Sequence, residues 1–91
     1  MNVLWSDESL SDMERIYEFH AQFSVPVAMR VMSMIRRATN LPVVFPQAGR
    51  SCVAYNPRDV RDLVVGDYQL RYEVDGKTIG VVRVWHCKED R

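Results

Sequence analysis

Residues 60–86 run VRDLVVGDYQLRYEVDGKTIGVVRVWH, three apolar stretches of strand length separated by Gly66-Asp67 and Asp75-Gly76. Glycine and aspartate take up the positive φ of a tight hairpin at little cost, so both dipeptides read as turns and the segment as an antiparallel meander. Tyr68, Leu70, Tyr72 and Val74 alternate with Gln69, Arg71 and Glu73, which is the period of a strand with one buried face. The stretch 79–85 is nearly solid with β-branched residues, as expected of a central strand covered on both sides or lying against a partner. A meander of this kind needs cover on one face, and the upstream residues are the material available for it.

Asn2 to Trp5 is a short apolar run that suits an edge or central strand, and Ser6 ends it. Serine followed by Asp7 and Glu8 satisfies orphan amides and complements the helix dipole, so a helix is expected to begin here. Leu10, Met13, Ile16, Tyr17 and His20 fall on one side of it and are expected to face the sheet. Phe23-Ser24 breaks the pattern. Ser24 can cap a second helix with Pro26 in its first turn, running to about residues 38–40, with Asn40 and Pro42 ending it. Val27, Ala28, Val31, Met32, Met34, Ile35 and Ala38 cover more than one stripe of this helix. The surplus is core under the sheet or a groove for another chain, and methionine at helical spacing favours core. The stretch after Pro42 reads as a loop punctuated by Pro46, Gly49 and Pro57, without a phosphate-binding glycine pattern or a repeat.

Ninety-one residues at 47% hydrophobic content suit one compact domain over residues 1–91, near the lower size limit for an unaided apolar core. No apolar run approaches the ~20 residues that span a bilayer. Met1 to Trp5 leads at once into an acidic, helix-starting segment rather than a secretory signal, so a cytoplasmic location is expected, with Cys52 and Cys87 as reduced thiols. The net charge of zero conceals blocks. Residues 1–22 carry five acids and one arginine; residues 23–58 carry Arg30, Arg36, Arg37, Arg50 and Arg58 and no acid. Ten of the twelve basic residues are arginine, whose planar fork grips carboxylate and phosphate bidentately, so a basic face is implied. From charge alone, a solvated helix surface is the simpler account.

A strand ending in Trp-Ser, an acidic first helix, a helical hairpin, the Gly49-Arg50 loop, the strand Arg61-Asp62-Leu63-Val64-Val65, the Tyr68-x-Leu-Arg-Tyr72 strand and the closing Arg83-Val84-Trp85-His86 together resemble the RelE/ParE superfamily of type II toxins over nearly the whole chain. The resemblance implies an α+β fold in which an N-terminal strand and a helical hairpin pack on a strongly twisted antiparallel sheet, with the first strand beside later ones. It also implies a co-expressed antitoxin that holds the toxin inactive. A surface for that partner is expected on Val31, Met32, Met34 and Ile35 or on Ile79, Val81 and Trp85.

RelE-like members cut mRNA in the ribosomal A site, which needs cations on the scissile phosphate and groups to move two protons. Arg61, Arg71, Glu73, Arg83 and His86 are the catalytic candidates under that reading. The chain lacks a lysine-rich loop, and Cys87 stands where an aromatic follows the histidine in that branch. ParE-like members instead poison DNA gyrase and are similar in the Leu-Arg-Tyr strand and in a charged tail like Lys88-Glu89-Asp90-Arg91. That reading needs a binding surface rather than an active site, and it is preferred here, with Arg50, Arg61, Arg71, Arg83 and His86 as target-binding groups. No cofactor is implied. A zinc site from His20, Cys52, His86 and Cys87 lacks any close ligand pair, and adjacent strand residues such as His86 and Cys87 point to opposite faces, which argues against a thiol enzyme.

The register of the last hairpin has two solutions. A two-residue Asp75-Gly76 turn sets Val74 opposite Lys77 and puts Arg83 on the Tyr68/Leu70/Tyr72 face. A three-residue loop through Lys77 groups Arg83 with Gln69, Arg71 and Glu73, and is preferred for collecting the charges. It leaves Ile79, Val81 and Trp85 on the polar face, where an antitoxin segment is the expected cover.

Overall fold

The computed structural model describes residues 1–89; Asp90 and Arg91, the end of the charged tail, lie outside the described residues. Strand β1 (Asn2–Trp5) leads into helices α1 (Asp7–Ala21) and α2 (Val25–Ala38) and a short α3 (Asn40–Val44). Strands β2 (Arg50–Ser51), β3 (Asp59–Val65), β4 (Tyr68–Asp75) and β5 (Thr78–His86) follow, with single 3-10 turns at Pro46–Ala48 and Val53–Tyr55. The five strands form one sheet in the order β1-β5-β4-β3-β2. β1 runs parallel to β5 and the remaining pairs are antiparallel, so the N-terminal strand lies beside the last one and β5 is central.

The helix caps follow the sequence signals. The Ser6 side chain accepts from Ser9 N–H, with Asp7 and Glu8 in the first turn of α1, and Ser24 accepts from Val27 N–H at the start of α2. Pro42 does not terminate the helical path as expected. The chain turns at Thr39, whose hydroxyl donates to the Arg36 carbonyl at 2.7 Å, and restarts as α3 with Pro42 in the first turn, where its missing N–H is not needed.

Met13, Ile16, Met32, Ile35, Val65, Tyr68, Leu70, Tyr72, Ile79, Val81 and Val84 form a buried cluster between the helical hairpin and the sheet. Tyr72, fully buried, fixes the loop after α3: its hydroxyl donates to the Pro46 carbonyl and accepts from Gly49 N–H, both at 2.8 Å. Gly49 passes so close that a methyl there would sit 2.8 Å from the Asp62 carbonyl oxygen and 3.0 Å from Tyr72 Cε1.

The last hairpin adopts neither expected register. Asp75 pairs with Thr78, so the turn is Gly76-Lys77, with Gly76 at φ +59 and glycine first, as in the Gly66-Asp67 turn. Both fit the type II′ pattern, which demands positive φ only at its first residue. Pairing then shifts between Arg71 and Tyr72: Tyr72 lies opposite Val81 and Arg71 opposite Arg83, leaving Val82 as a bulge. The extra residue lets Ile79 and Val81 face the helices while Arg83 still joins Arg71 and Glu73 on the opposite face. Ile79 and Val81 are therefore core, at 0% and 1% exposure, and do not wait for an external cover. Among the described residues no helix is long and apolar enough to cross a membrane.

Candidate functional site

The sheet face opposite the helices carries the charged groups, and the register explains how they meet. Asp62 pairs with Arg71 across β3 and β4, and Arg71 with Arg83 across β4 and β5, so the three sit in one row. Arg71 donates to Asp62 through Nε at 2.8 Å and Nη2 at 3.0 Å, and its guanidinium lies between the rings of Trp85 and Tyr55, 4.8 Å and 5.4 Å from their centroids. Trp85 is thus on the polar face as expected, yet only 5% exposed, closed over by Arg71. The Asp62 hydrogen bonds push the Arg71 pKa further up from an already high value. Next to this row Cys52 has its thiol pKa raised, first by burial and then by the Asp62 charge, which keeps it protonated and unreactive at neutral pH.

Arg83 bends around the free edge of β5 to Asp12 on α1, donating through Nε at 2.8 Å and Nη2 at 3.0 Å. Asp12 also accepts Val84 N–H at 2.9 Å and Arg15 at 3.3 Å. Burial pushes its carboxyl up, but Arg83, Val84 N–H and Arg15 together outweigh this and hold it below the ordinary 3.8. Ser9 and Asp12 share the three-and-four spacing of Met13 and Ile16, so their burial was foreshadowed by polar residues on an apolar stripe. Glu73 is gripped bidentately by Arg58 at 2.9 and 2.7 Å, which lowers its pKa.

The expected catalytic set does not converge. Arg61 shares the helix-side face with Tyr72, donating to Asp59 at 2.8 Å and to the Gly49 carbonyl at 3.1 Å. Arg71, Glu73 and Arg83 occupy the other face, each with a partner. His86 lies opposite Tyr68 on the helix-side face, its ring edge-on to Tyr68 at 5.3 Å and its Nδ1 accepting Lys88 N–H. Glu73 stands five positions along β4 from Tyr68, about 17 Å of strand. His20, expected only to end an apolar stripe, makes a 2.6 Å hydrogen bond with the Tyr68 hydroxyl, and a recess of 380 Å³ opens here between Arg15, Ile16, Phe19, Tyr68, His86 and Glu89. Among the described residues no three His, Cys, Asp or Glu side chains gather as a metal site.

The residues proposed to meet an antitoxin divide by burial. Ile35 is fully buried and Met32 is 7% exposed, and with Ile79, Val81 and Trp85 they offer little surface. Met34 is exposed and Val31 half-buried. Met29, 60% exposed and not singled out from the sequence, lines with Met13, Tyr17, Met32, Ser33 and Arg36 a groove of 640 Å³ between α1 and α2. Arg30, Arg36, Arg37 and Arg50 are exposed and make no ion pair or side-chain hydrogen bond among the described residues. Of the expected target-binding arginines only Arg50 is in this unpaired set.

A curated relative, Toxin RelE2 of Caulobacter vibrioides, is 31% identical over 86 residues, 93% of each chain. The solved structure titled as the chromosomal ParDE TA system from P. aeruginosa superposes with a TM-score of 0.77 over 94% of this chain and 95% of that one, at 23% identity, which shows a shared fold. The family model described as ParE toxin of type II toxin-antitoxin system, parDE, matches residues 3–91. This chain therefore belongs to the ParE toxin family of type II toxin-antitoxin systems, within the RelE/ParE superfamily.

Proposed function

We propose that the chain acts in the bacterial cytoplasm as a binding protein that poisons DNA gyrase, and that a cognate antitoxin neutralises it. The observation that carries this reading is the state of the cationic groups. A ribonuclease needs positive charge free to meet a phosphate, with a proton donor and acceptor beside it. Here Arg61, Arg71 and Arg83 are held by Asp59, Asp62 and Asp12, Glu73 is held by Arg58, and His86 lies on the opposite face from Glu73. Nothing in that arrangement assembles acid, base and free cation at one point. The groove between α1 and α2, with exposed Met29 at its wall, is the surface proposed for an apolar helix of the antitoxin.

Two measurements separate the targets. Purified protein with gyrase and supercoiled plasmid is expected to give linear DNA, and primer extension on an abundant message after induction is expected to show no codon-phased cuts. Cuts at fixed codon positions, appearing before DNA damage, would overturn the proposal. His86→Gln is expected to keep full toxicity, since here the imidazole packs on Tyr68; lost toxicity in a folded variant that still binds antitoxin would indicate chemistry at that residue.

A further inference from the structure

The sheet order leaves β1 at one margin, and its edge is open. Asn2 N–H donates to the Lys77 carbonyl and Ser6 N–H to the Val81 carbonyl, both at 3.0 Å, so Asn2, Leu4 and Ser6 direct their backbone groups at β5. Val3 and Trp5 therefore hold N–H and C=O outward, with no strand opposite them among the described residues. Past Trp5 the margin closes, because Ser6 Oγ donates to the Val82 carbonyl and Asp12 accepts Val84 N–H. The open stretch, Asn-Val-Leu-Trp, carries no charge, proline or bulge, the usual devices that blunt an edge.

This stretch is symmetric about Leu4. Leu4 is 62% exposed on the face away from the helices, and its neighbour on β5 is Gly80, which offers it no side chain. Val3 and Trp5 flank it and pack half-buried on the helix side. There Trp5 borders a hollow of 190 Å³ with Met13, Arg36 and Leu10, the last 53% exposed.

We propose that a second copy of this chain occupies the β1 edge, the two β1 strands pairing antiparallel about a two-fold axis through Leu4 and joining the two sheets into one. An isologous contact needs a surface that complements itself, and outward backbone groups placed evenly about one residue form such a surface. Val3 and Trp5 of one copy exchange N–H···O=C bonds with Trp5 and Val3 of the other. Leu4 meets its counterpart in the closer, non-bonded type of pair, about 4.5 Å between Cα atoms. Val3 of the second copy then stands beside Trp5, next to the hollow. Charge at the ends agrees with this register. Asn2 is level with Thr78, so Asp7 of one copy comes level with Lys77 of the other, two strand spacings or about 10 Å between Cα atoms, which the two side chains span. Asp7 and Lys77 are exposed and without an ion pair among the described residues. The other acids near that end are Glu8, which feels Arg83 of its own copy, and Asp75, one strand further in on β4. The contact uses neither Met29 nor Met32, so the groove between α1 and α2 stays open, and the proposal is independent of the toxin's target.

The test uses the full-length chain alone. Sedimentation is expected to show a monomer–dimer equilibrium below about 100 μM, and the Val3 and Trp5 amides should exchange at least tenfold more slowly at that concentration than in dilute solution. Leu4→Asp, which sets two like charges on the axis, is expected to weaken the dimer at least tenfold with unchanged melting of the monomer. Asp7→Lys should weaken it and adding Lys77→Asp should restore it. With Cys52→Ser and Cys87→Ser in place, Leu4→Cys is expected to oxidise to a linked dimer, since the Cα spacing at the axis suits a disulfide, whereas Val64→Cys, 68% exposed on β3, should stay monomeric. Should Leu4→Asp fail to fold, the cross-link decides. A chain that is monomeric at 100 μM and forms no Leu4→Cys cross-link overturns the proposal, as does a dimer that survives Leu4→Asp. Slow Val3 and Trp5 exchange at every concentration, or slowing only when the antitoxin is added, would give the edge to another occupant and overturn it too.

Discussion

Asp12 is 4% exposed and accepts four hydrogen bonds, two from Arg83, one from Arg15 and one from Val84 N–H, thereby joining the first helix to the last strand. An isolated carboxylate there would be costly to bury, and it is tolerated because each lone-pair direction has a donor. Replacing it by alanine would strand the Val84 amide and release Arg83, a loss of about 3 kcal/mol. In a domain of this size that lowers Tm by roughly 12–24 °C, measurable by thermal unfolding. The pH dependence has a definite sign. The Asp12 pKa is depressed in the folded chain, so its contribution is complete above the unfolded value near 3.8 and fades as pH falls below it. The stability gap between the parent and Asp12→Asn should therefore be constant at neutral pH and narrow progressively as pH falls below 3.8; a gap that does not narrow in acid would show that charge is not what Asp12 supplies. The sequence placed a polar residue on an apolar stripe, but its partner, 71 positions away, could not be read from local pattern.

At the level of elements, β1, β3, β4 and β5, both helix caps and the two hairpins were legible because each rests on local chemistry: a hydroxyl three residues before an amide, a glycine where φ must be positive, a two-residue period; α3 and the two-residue β2 fall in the stretch read as helix end and loop. Register was not legible, because one bulge at Val82 changes which parity of β5 faces the core, and alternation read without it sends either Arg83 or the pair Ile79 and Val81 to the wrong side. The bulge also reconciles two demands that had looked incompatible, apolar residues against the helices and Arg83 in the charged row. The turn itself was displaced by one residue, since glycine serves as its first position rather than its second. This placement has a direct test. Gly76 has φ +59 and no atom within 4 Å of where a Cβ would stand, so Gly76→Ala adds no clash and its cost is that of the backbone alone, about 1–2 kcal/mol. Asp75 lies in β4 opposite Thr78, outside the turn, and Asp75→Ala should change stability by less than about 0.5 kcal/mol. Denaturant midpoints of the two variants measure the contrast, and equal losses would place Asp75 in the turn after all.

For the molecule as a whole, sequence charge identified arginine as the working residue but could not divide the arginines between structure and recognition, because that division depends on which strands are neighbours. Asp59, Asp62 and Asp12 face Arg61, Arg71 and Arg83 only once β3, β4, β5 and α1 are assembled, whereas Arg30, Arg36, Arg37 and Arg50 have no acid in their own block of sequence to meet. Two populations of variants should follow. Arg71→Ala or Arg83→Ala removes a bidentate partner from a carboxylate that is largely shielded from water, and should cost about 1.5–3 kcal/mol of stability, with toxicity falling only as far as the folded fraction falls. Arg30→Ala, Arg36→Ala, Arg37→Ala and Arg50→Ala should each leave melting within about 0.5 kcal/mol of the parent. If recognition of the target or the antitoxin uses free guanidiniums, toxicity or complex affinity should nevertheless fall in this second group, gradually and additively for positions more than about 10 Å apart, because each substitution removes one charged contact and no substitution removes an active site. Plotting toxicity against melting temperature for all six variants makes the comparison. Should the four exposed arginines leave both toxicity and antitoxin affinity unchanged, while a well-folded Arg71 or Arg83 variant loses toxicity more than a hundredfold, recognition by the unpaired set is wrong and the paired arginines are acting on a substrate.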